Sequence, residues 1–279
     1  MTPKVRAVVF DWAGTTIDFG CLAPAGAFVE AFAARGVAVT VAEARGPMGL
    51  HKKDHLRAML TRPELAARWR ATRGQAWSEG DVEDLYRLVT PLQVAAVERH
   101  STLIPGVLSC MASLKSSGVK VAGTTGYFHA AAEVVYRLAA GQGYAPDFAI
   151  CADEVPAGRP APWMVFRAME ALGVYPPAAV VKVGDTAIDV ADGLNAGVWS
   201  VAVLDSSNEM GLTEAEFAAL DDAERNRRRE AVASRFQAAG AHAVVRTVAQ
   251  VPALVRHFDA LLAAGQNPGS VTASLRATQ

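Results

Sequence analysis

Short apolar runs rich in β-branched residues recur along the chain at Val5–Phe10, Val119–Gly123, Phe148–Cys151, Val180–Val183 and Ser200–Val203, with stretches of helical period between them. Runs of this length predict strands, and strands that alternate with helices predict parallel pairing with crossovers on both faces of one sheet. The expected fold class is α/β, built on a doubly wound parallel sheet.

One interval breaks that rhythm. Between the first and second runs the chain carries no strand signal, while Ala23–Arg35, Ala42–Leu60, Pro63–Arg73 and Asp81–His100 repeat apolar residues at the helical period. One crossover helix needs far less chain. Residues 21–101 therefore read as an inserted α-helical cap domain, joined near Phe19–Pro24 and Thr102–Gly106, where Gly and Pro punctuate the sequence. The core then comprises 1–20 and 102–264, and the polar, Gly-containing residues 265–279 form a tail expected to fray.

Composition narrows the class. A chain of 279 residues, 51% hydrophobic, can bury a sizeable core. Its 27 basic and 28 acidic residues leave a net charge of −1, which excludes an overall field for nucleic acid or an anionic membrane. An anionic ligand must be recognised locally. The run Arg225–Asn226–Arg227–Arg228–Arg229 is flanked by Asp221, Asp222, Glu224 and Glu230, the pattern of a solvated helix face. Cys21, Cys110 and Cys151 are widely spaced and odd in number, as reduced thiols are. With no signal-peptide pattern and no apolar stretch long enough to span a bilayer, the cytoplasm is the expected compartment.

In a doubly wound sheet, ligands bind beyond the carboxyl ends of the strands. Those ends read Asp11–Trp12–Ala13–Gly14–Thr15–Thr16, Thr124–Thr125–Gly126–Tyr127, Gly158–Arg159–Pro160 and Gly184–Asp185–Thr186–Ala187–Ile188–Asp189. Asp11 and Asp185 are hard oxygen donors able to share a divalent cation such as magnesium, and Asp189 lies one helical turn beyond Asp185. Thr125, the Gly126 amide and Arg159 offer donors and fixed positive charge to phosphoryl oxygens. Together they describe phosphoryl transfer, with Asp11 attacking phosphorus to form an aspartyl phosphate. Singly, each is an ordinary turn or cap residue; their joint occurrence at successive strand ends points to chemistry.

These four segments resemble, in order, the motifs of the haloacid dehalogenase superfamily, which implies a Rossmann-like core with a cap and a bound Mg2+. One departure matters. Phosphatases of that superfamily place a second aspartate two residues after the nucleophile, to protonate a departing alkoxide and then activate water; this chain has Ala13. Losing a positioned acid costs about 10²–10⁴-fold. A carbon leaving group needs an electron sink instead, and an iminium made from a lysine and an aldehyde supplies one.

The cap contributes Pro47–Met48–Gly49–Leu50–His51–Lys52–Lys53–Asp54–His55. With the first core segment and Gly158–Arg159–Pro160–Ala161–Pro162–Trp163, this resembles the phosphonoacetaldehyde hydrolase family, from the first strand to about Val245. The resemblance implies hydrolysis of a carbon–phosphorus bond in phosphonate (2-aminoethylphosphonate) degradation, through a Schiff base. Matching the pattern PMGLxKxDH places that lysine at Lys52; its rival, Lys53, sits about a hundred degrees further round a helix. To attack an aldehyde the amine needs a depressed pKa, from desolvation or a nearby cation.

The resemblance also implies pocket walls from Met48, Cys21 and Tyr127, His55 beside the amine, the Ala13 carbonyl on the metal, and a homodimer through the cap helices that begin near Ala23. Trp12 and Trp163 read as packing support for the loops, and His51, His100, His129, His242 and His257 as structural. Two rivals stay open. An ester phosphatase or phosphomutase of the same fold is disfavoured by Ala13, and an inert binding protein by the presence of Asp11, Thr125, Arg159, Asp185 and Asp189.

Overall fold

The computed structural model describes residues 3–270 and the backbone of 275 and 276. Strands β1 (Ala7–Phe10), β2 (Lys120–Thr125), β3 (Phe148–Cys151), β4 (Val180–Gly184), β5 (Trp199–Val203), β6 (Ala243–Val245) and β7 (Leu275–Arg276) form one parallel sheet in the order β3-β2-β1-β4-β5-β6-β7. Five of these coincide with the apolar runs; β6 and β7 have three and two residues, too short to carry a pattern. Phe10 pairs with Gly123 on one side and Val183 on the other. That register brings Asp11, Thr124–Thr125 and Gly184–Asp185 out at one sheet edge.

Side-chain alternation sends Val8 and Phe10 to one face and Ala7 and Val9 to the other. The first face is covered by α6 (Val107–Ser116), α7 (His129–Gly141) and α12 (Val251–Ala263); the second by α8 (Trp163–Leu172), α9 (Ala187–Asn195) and α11 (Asp222–Ala238). Coverage on both faces is what a parallel sheet requires, and β1, β4 and β5 are buried at every position. Helix α10 (Glu214–Ala219) buries no residue fully and joins this packing only through the partly buried Phe217. Among the described residues no helix is long and apolar enough to cross a membrane.

Between β1 and β2 run α1 (Leu22–Ala33), α2 (Val41–Arg45), α3 (Lys52–Leu60), α4 (Pro63–Arg73) and α5 (Glu79–Arg99). Phe28, Phe32, Leu56, Met59, Leu60, Trp69, Val82, Leu85 and Val89 form a hydrophobic cluster of their own within this cap. Fully burying each large side chain there stabilises by about 1.5–3 kcal/mol. The expected single helix over Ala42–Leu60 is two: Gly46, Pro47 and Gly49, the last at φ 97°, interrupt it, and α3 restarts at Lys52. The two chain crossings between cap and core are tied together. Asp18 and Cys21 adopt left-handed backbone, the Asp18 carboxylate accepts the Leu22 and Ala23 amides at 3.0 and 2.9 Å, and its own amide donates to the Thr102 carbonyl.

Three expectations change. Arg225, Arg227 and Arg228 do pair along an exposed face, but Arg229 reaches the buried Asp205 at 2.6 Å and clips α11 to the loop after β5. Trp163 is 46% exposed and packs edge-on against Phe166 instead of supporting a loop. Within the tail expected to fray, Pro268–Ser270 form a 3-10 turn whose Pro268 carbonyl lies 2.9 Å from His242, and Leu275–Arg276 pair with β6. Residues 271–274 and 277–279 of that tail lie outside the described residues.

Candidate active site

A small cavity of about 20 Å3 lies where the cap meets the sheet edge, lined by Asp11, Ala13, Cys21, Pro24, Met48, Gly49, Lys52, Thr125, Gly126, Tyr127, Arg159, Asp185 and Thr186. The sequence-derived site residues thus come together from both domains, with two exceptions: Asp189 and His55 are not on its wall. A space of this size holds about one water. Larger cavities lie at more open surfaces, at α11 and at α8 among them.

The core half is a buried charge network. Arg159 Nη1 forms ion pairs with Asp11 Oδ1 at 2.7 Å and Asp189 Oδ1 at 2.9 Å, and Nη2 donates to the Thr124 carbonyl and hydroxyl at 2.6 and 2.8 Å. Nη1 and Nη2 are thus turned to the protein, while Nε has no hydrogen-bond partner among the described residues; the guanidinium holds Asp11 in place and offers an incoming anion its charge. Lys182, fully buried on β4, donates to Asp189 Oδ1 at 2.8 Å, and Thr186 donates to Asp189 Oδ2 at 2.6 Å. Both Asp189 oxygens are committed, which leaves its expected place on the metal to be taken through water or by rearrangement. Asp192 lies beneath, 3.6 Å from Arg159 Nε, with neither oxygen hydrogen-bonded to a described residue.

Asp11, Asp185 and Asp189 each present an oxygen within 4.8 Å of the others. Four buried carboxylates here face two buried cations, Arg159 and Lys182. Burial, with repulsion from Asp11 and Asp189, pushes the Asp185 carboxyl well above its ordinary range. Burial also raises Asp11, against the pull of Arg159, whereas Arg159 and Lys182 overcome burial to hold Asp189 at about 2. The cluster is short of positive charge, and its donors are hard oxygens; a divalent cation fits it. Gly14, at φ 78°, lets the nucleophile loop close on Asp185: a Cβ there would stand 2.0 Å from Asp185 Oδ2.

From the cap, Lys52 enters the cavity at the first turn of α3, its Nζ 5.1 Å from the Tyr127 ring centre and 5.7 Å from that of Phe28. Burial, with a smaller push from Arg159, lowers its pKa from 10.5 to about 8. His55 lies close enough to Lys52 to feel its charge, but off the cavity wall. Its ring stacks on Phe28 at 3.8 Å and its Nε2 bonds the Ala44 carbonyl at 2.8 Å, so it supports the cap behind Lys52 instead of lining the pocket. Thr125, the last residue of β2, accepts the Tyr127 amide at 3.2 Å.

Lys182, Asp192 and Thr186 had no assigned role in the sequence. The available signal was a lysine inside the apolar strand Val180–Gly184, where both faces are covered and a charge needs a buried partner. Asn208, whose amide donates to Asp185 Oδ2 at 2.8 Å, carried no signal, since 23 residues separate the two.

Residues 5–197 match the family model of haloacid dehalogenase-like hydrolases. A phosphonoacetaldehyde hydrolase from Syntrophobacter fumaroxidans is 46% identical over 96% of both chains, and one from Bacillus cereus 43% identical over 92% of this chain and 97% of its own. The crystal structure of a phosphonoacetaldehyde hydrolase-like protein from Oleispira antarctica superposes with a TM-score of 0.94 at 40% identity, covering 96% of this chain and 97% of the other. On sequence and fold alike, the chain belongs to the phosphonoacetaldehyde hydrolase family of the haloacid dehalogenase-like hydrolases.

Proposed function

We propose that this chain hydrolyses the carbon–phosphorus bond of phosphonoacetaldehyde, giving acetaldehyde and phosphate, in phosphonate (2-aminoethylphosphonate) degradation. The observation that carries the reading is a buried lysine of lowered pKa sharing one small cavity with Asp11, in a site where Ala13 stands in place of a general acid. The names of the relatives point the same way.

The neutral Lys52 amine condenses with the aldehyde, releasing water, and the imine takes up a proton from solvent to become an iminium. Asp11, its Oδ1 held by Arg159, attacks phosphorus through its other oxygen. The carbon–phosphorus pair moves into the iminium to give an enamine on Lys52, which protonation and hydrolysis convert to acetaldehyde and free lysine. Water then cleaves the aspartyl phosphate. Magnesium, held by Asp11, Asp185 and the Ala13 carbonyl with Asp189 behind them, would neutralise charge on the phosphonate. Thr125 and the Gly126 amide donate to its oxygens, while Cys21, Met48 and Tyr127 exclude solvent. Because the cavity holds about one water, the cap must part from the core to admit substrate.

We also propose a cytoplasmic homodimer through the cap, where Leu22, Gly26 and Ala33 on α1 stay partly or wholly exposed. Light scattering that returns a monomer at micromolar concentration contradicts it.

Borohydride trapping tests the chemistry: incubate with phosphonoacetaldehyde and magnesium, reduce, digest, and map the adduct by mass spectrometry. A two-carbon adduct on Lys52 is expected. Phosphate release with no lysine adduct would overturn the mechanism.

A further inference from the structure

The loop after β5 joins four parts of the molecule. Asp205 is held by Arg229, the Ser206 hydroxyl donates to the Gly14 carbonyl at 2.7 Å, and the Ser206 carbonyl accepts the Gly20 amide at 2.8 Å. Asn208 follows, 5% exposed, and does two things at once. Its main-chain amide donates to Asp185 Oδ2 at 2.8 Å. Its side-chain oxygen accepts from Arg45 Nη1 at 3.1 Å, and the same nitrogen donates to the Gly20 carbonyl at 2.6 Å.

Arg45 belongs to the cap and ends α2, three residues before Met48 and seven before Lys52 on the same stretch of chain. Its partners Gly20 and Asn208 belong to the first crossing and the core. When the cap lifts, Arg45 lifts with it, and the Asn208 side chain loses its grip.

We infer that Arg45 and Asn208 are positioning residues that couple seating of the cap to the orientation of Asp185. With Arg45 in place, Asn208 is pinned at both ends and its amide aims at Asp185 Oδ2, leaving Oδ1 for the cation. With the cap raised, only the main-chain bond remains. Coupling of this kind is reciprocal: a cation on Asp185 favours the seated cap by the factor with which seating favours the cation. The inference rests on the metal reading given above and adds the route by which the cap senses it.

The sign of one effect separates coupling from simple electrostatics. Removing the positive charge of Arg45 near a cation site should tighten cation binding by Coulomb's law. Coupling predicts weaker binding, on the scale of about tenfold typical for residues that orient a metal ligand.

Calorimetric titration of the full-length protein with magnesium alone, without substrate, measures this for wild type, Arg45→Met, Asn208→Ala and the double variant. Each single variant should bind about tenfold more weakly, and the double no more weakly than the worse single, because both remove one link. Arg45→Lys, which keeps a donor for the Gly20 and Asn208 oxygens, should recover most of the affinity. Thermal unfolding monitors folding and should stay close to wild type in every variant. Unchanged or tighter magnesium binding in Arg45→Met overturns the coupling alone, as do additive losses in the double variant. A wild type that binds no magnesium overturns the metal reading and this inference with it.

Discussion

Lys52 and Lys53 are adjacent in the chain and face different surroundings: Lys52 Nζ lies in the cavity beside Tyr127, 3% of the residue exposed, whereas Lys53 Nζ pairs with Glu83 at 2.6 Å over the Tyr86 ring. One helical step, about a hundred degrees, separates an amine stripped of water from one neutralised at the surface. Lys53→Met should therefore keep kcat within about threefold, a surface ion pair contributing little, and Lys52→Met should abolish it. Steady-state assays of acetaldehyde release decide this; equal losses in the two variants would remove Lys52 from the mechanism.

The pH profile follows from the same amine. Imine formation needs the neutral form, and Lys52 titrates at about 8. Below that value kcat/KM should rise about tenfold per pH unit, then level off above it. A profile still climbing at pH 10 would mean that burial does not lower this lysine.

Stability carries the opposite mark of that burial. Lowering the pKa from 10.5 to about 8 corresponds to about 3 kcal/mol of folding free energy lost at neutral pH. Below pH 8 lysine is protonated in folded and unfolded chains, so the penalty is complete; between 8 and 10.5 only the unfolded chain keeps the proton, and stability recovers. Lys52→Met should accordingly be more stable than wild type at pH 7, with an advantage that shrinks over that interval. Denaturant titrations at pH 7 and pH 9.5 measure both ends.

Arg159→Lys tests whether geometry or charge matters beside Asp11. One guanidinium holds Asp11, Asp189 and Thr124 at once; an ammonium keeps the charge but cannot span the three. A fall in kcat of about a hundredfold or more is expected, with a stability loss of about 2–4 kcal/mol for the broken charged hydrogen bonds. Near-normal turnover would show that positive charge alone suffices.

Closure can be blocked from the core side. A Cβ on Gly126 would stand 2.9 Å from the Gly49 carbonyl and 3.0 Å from that of Leu50, backbone atoms of the cap loop that cannot give way cheaply. Gly126→Ala should lower kcat/KM at least about tenfold while thermal stability stays close to wild type, since an unseated cap relieves the clash. Kinetics matching wild type would show that the cap accommodates the methyl group.

What the sequence determined by itself was local in origin. Strand runs, the helical interval and the motif order are set by side-chain period and by Gly and Pro, and these act over a few residues; hence the sheet edge bearing Asp11, Thr125 and Asp185 was legible before any coordinates. Tertiary structure alone decided how those residues are partnered. Asp189 is locked by Lys182 and Arg159, His55 turns to Ala44, Trp163 faces solvent, and Gly46–Gly49 break a helix so that Lys52 can reach the core. The bond from Asn208 to Asp185 and its grip on Arg45 span 23 and 163 positions of chain. No periodicity reaches that far, because such contacts are chosen by how the cap settles on the sheet and by the need of each buried charge for a partner.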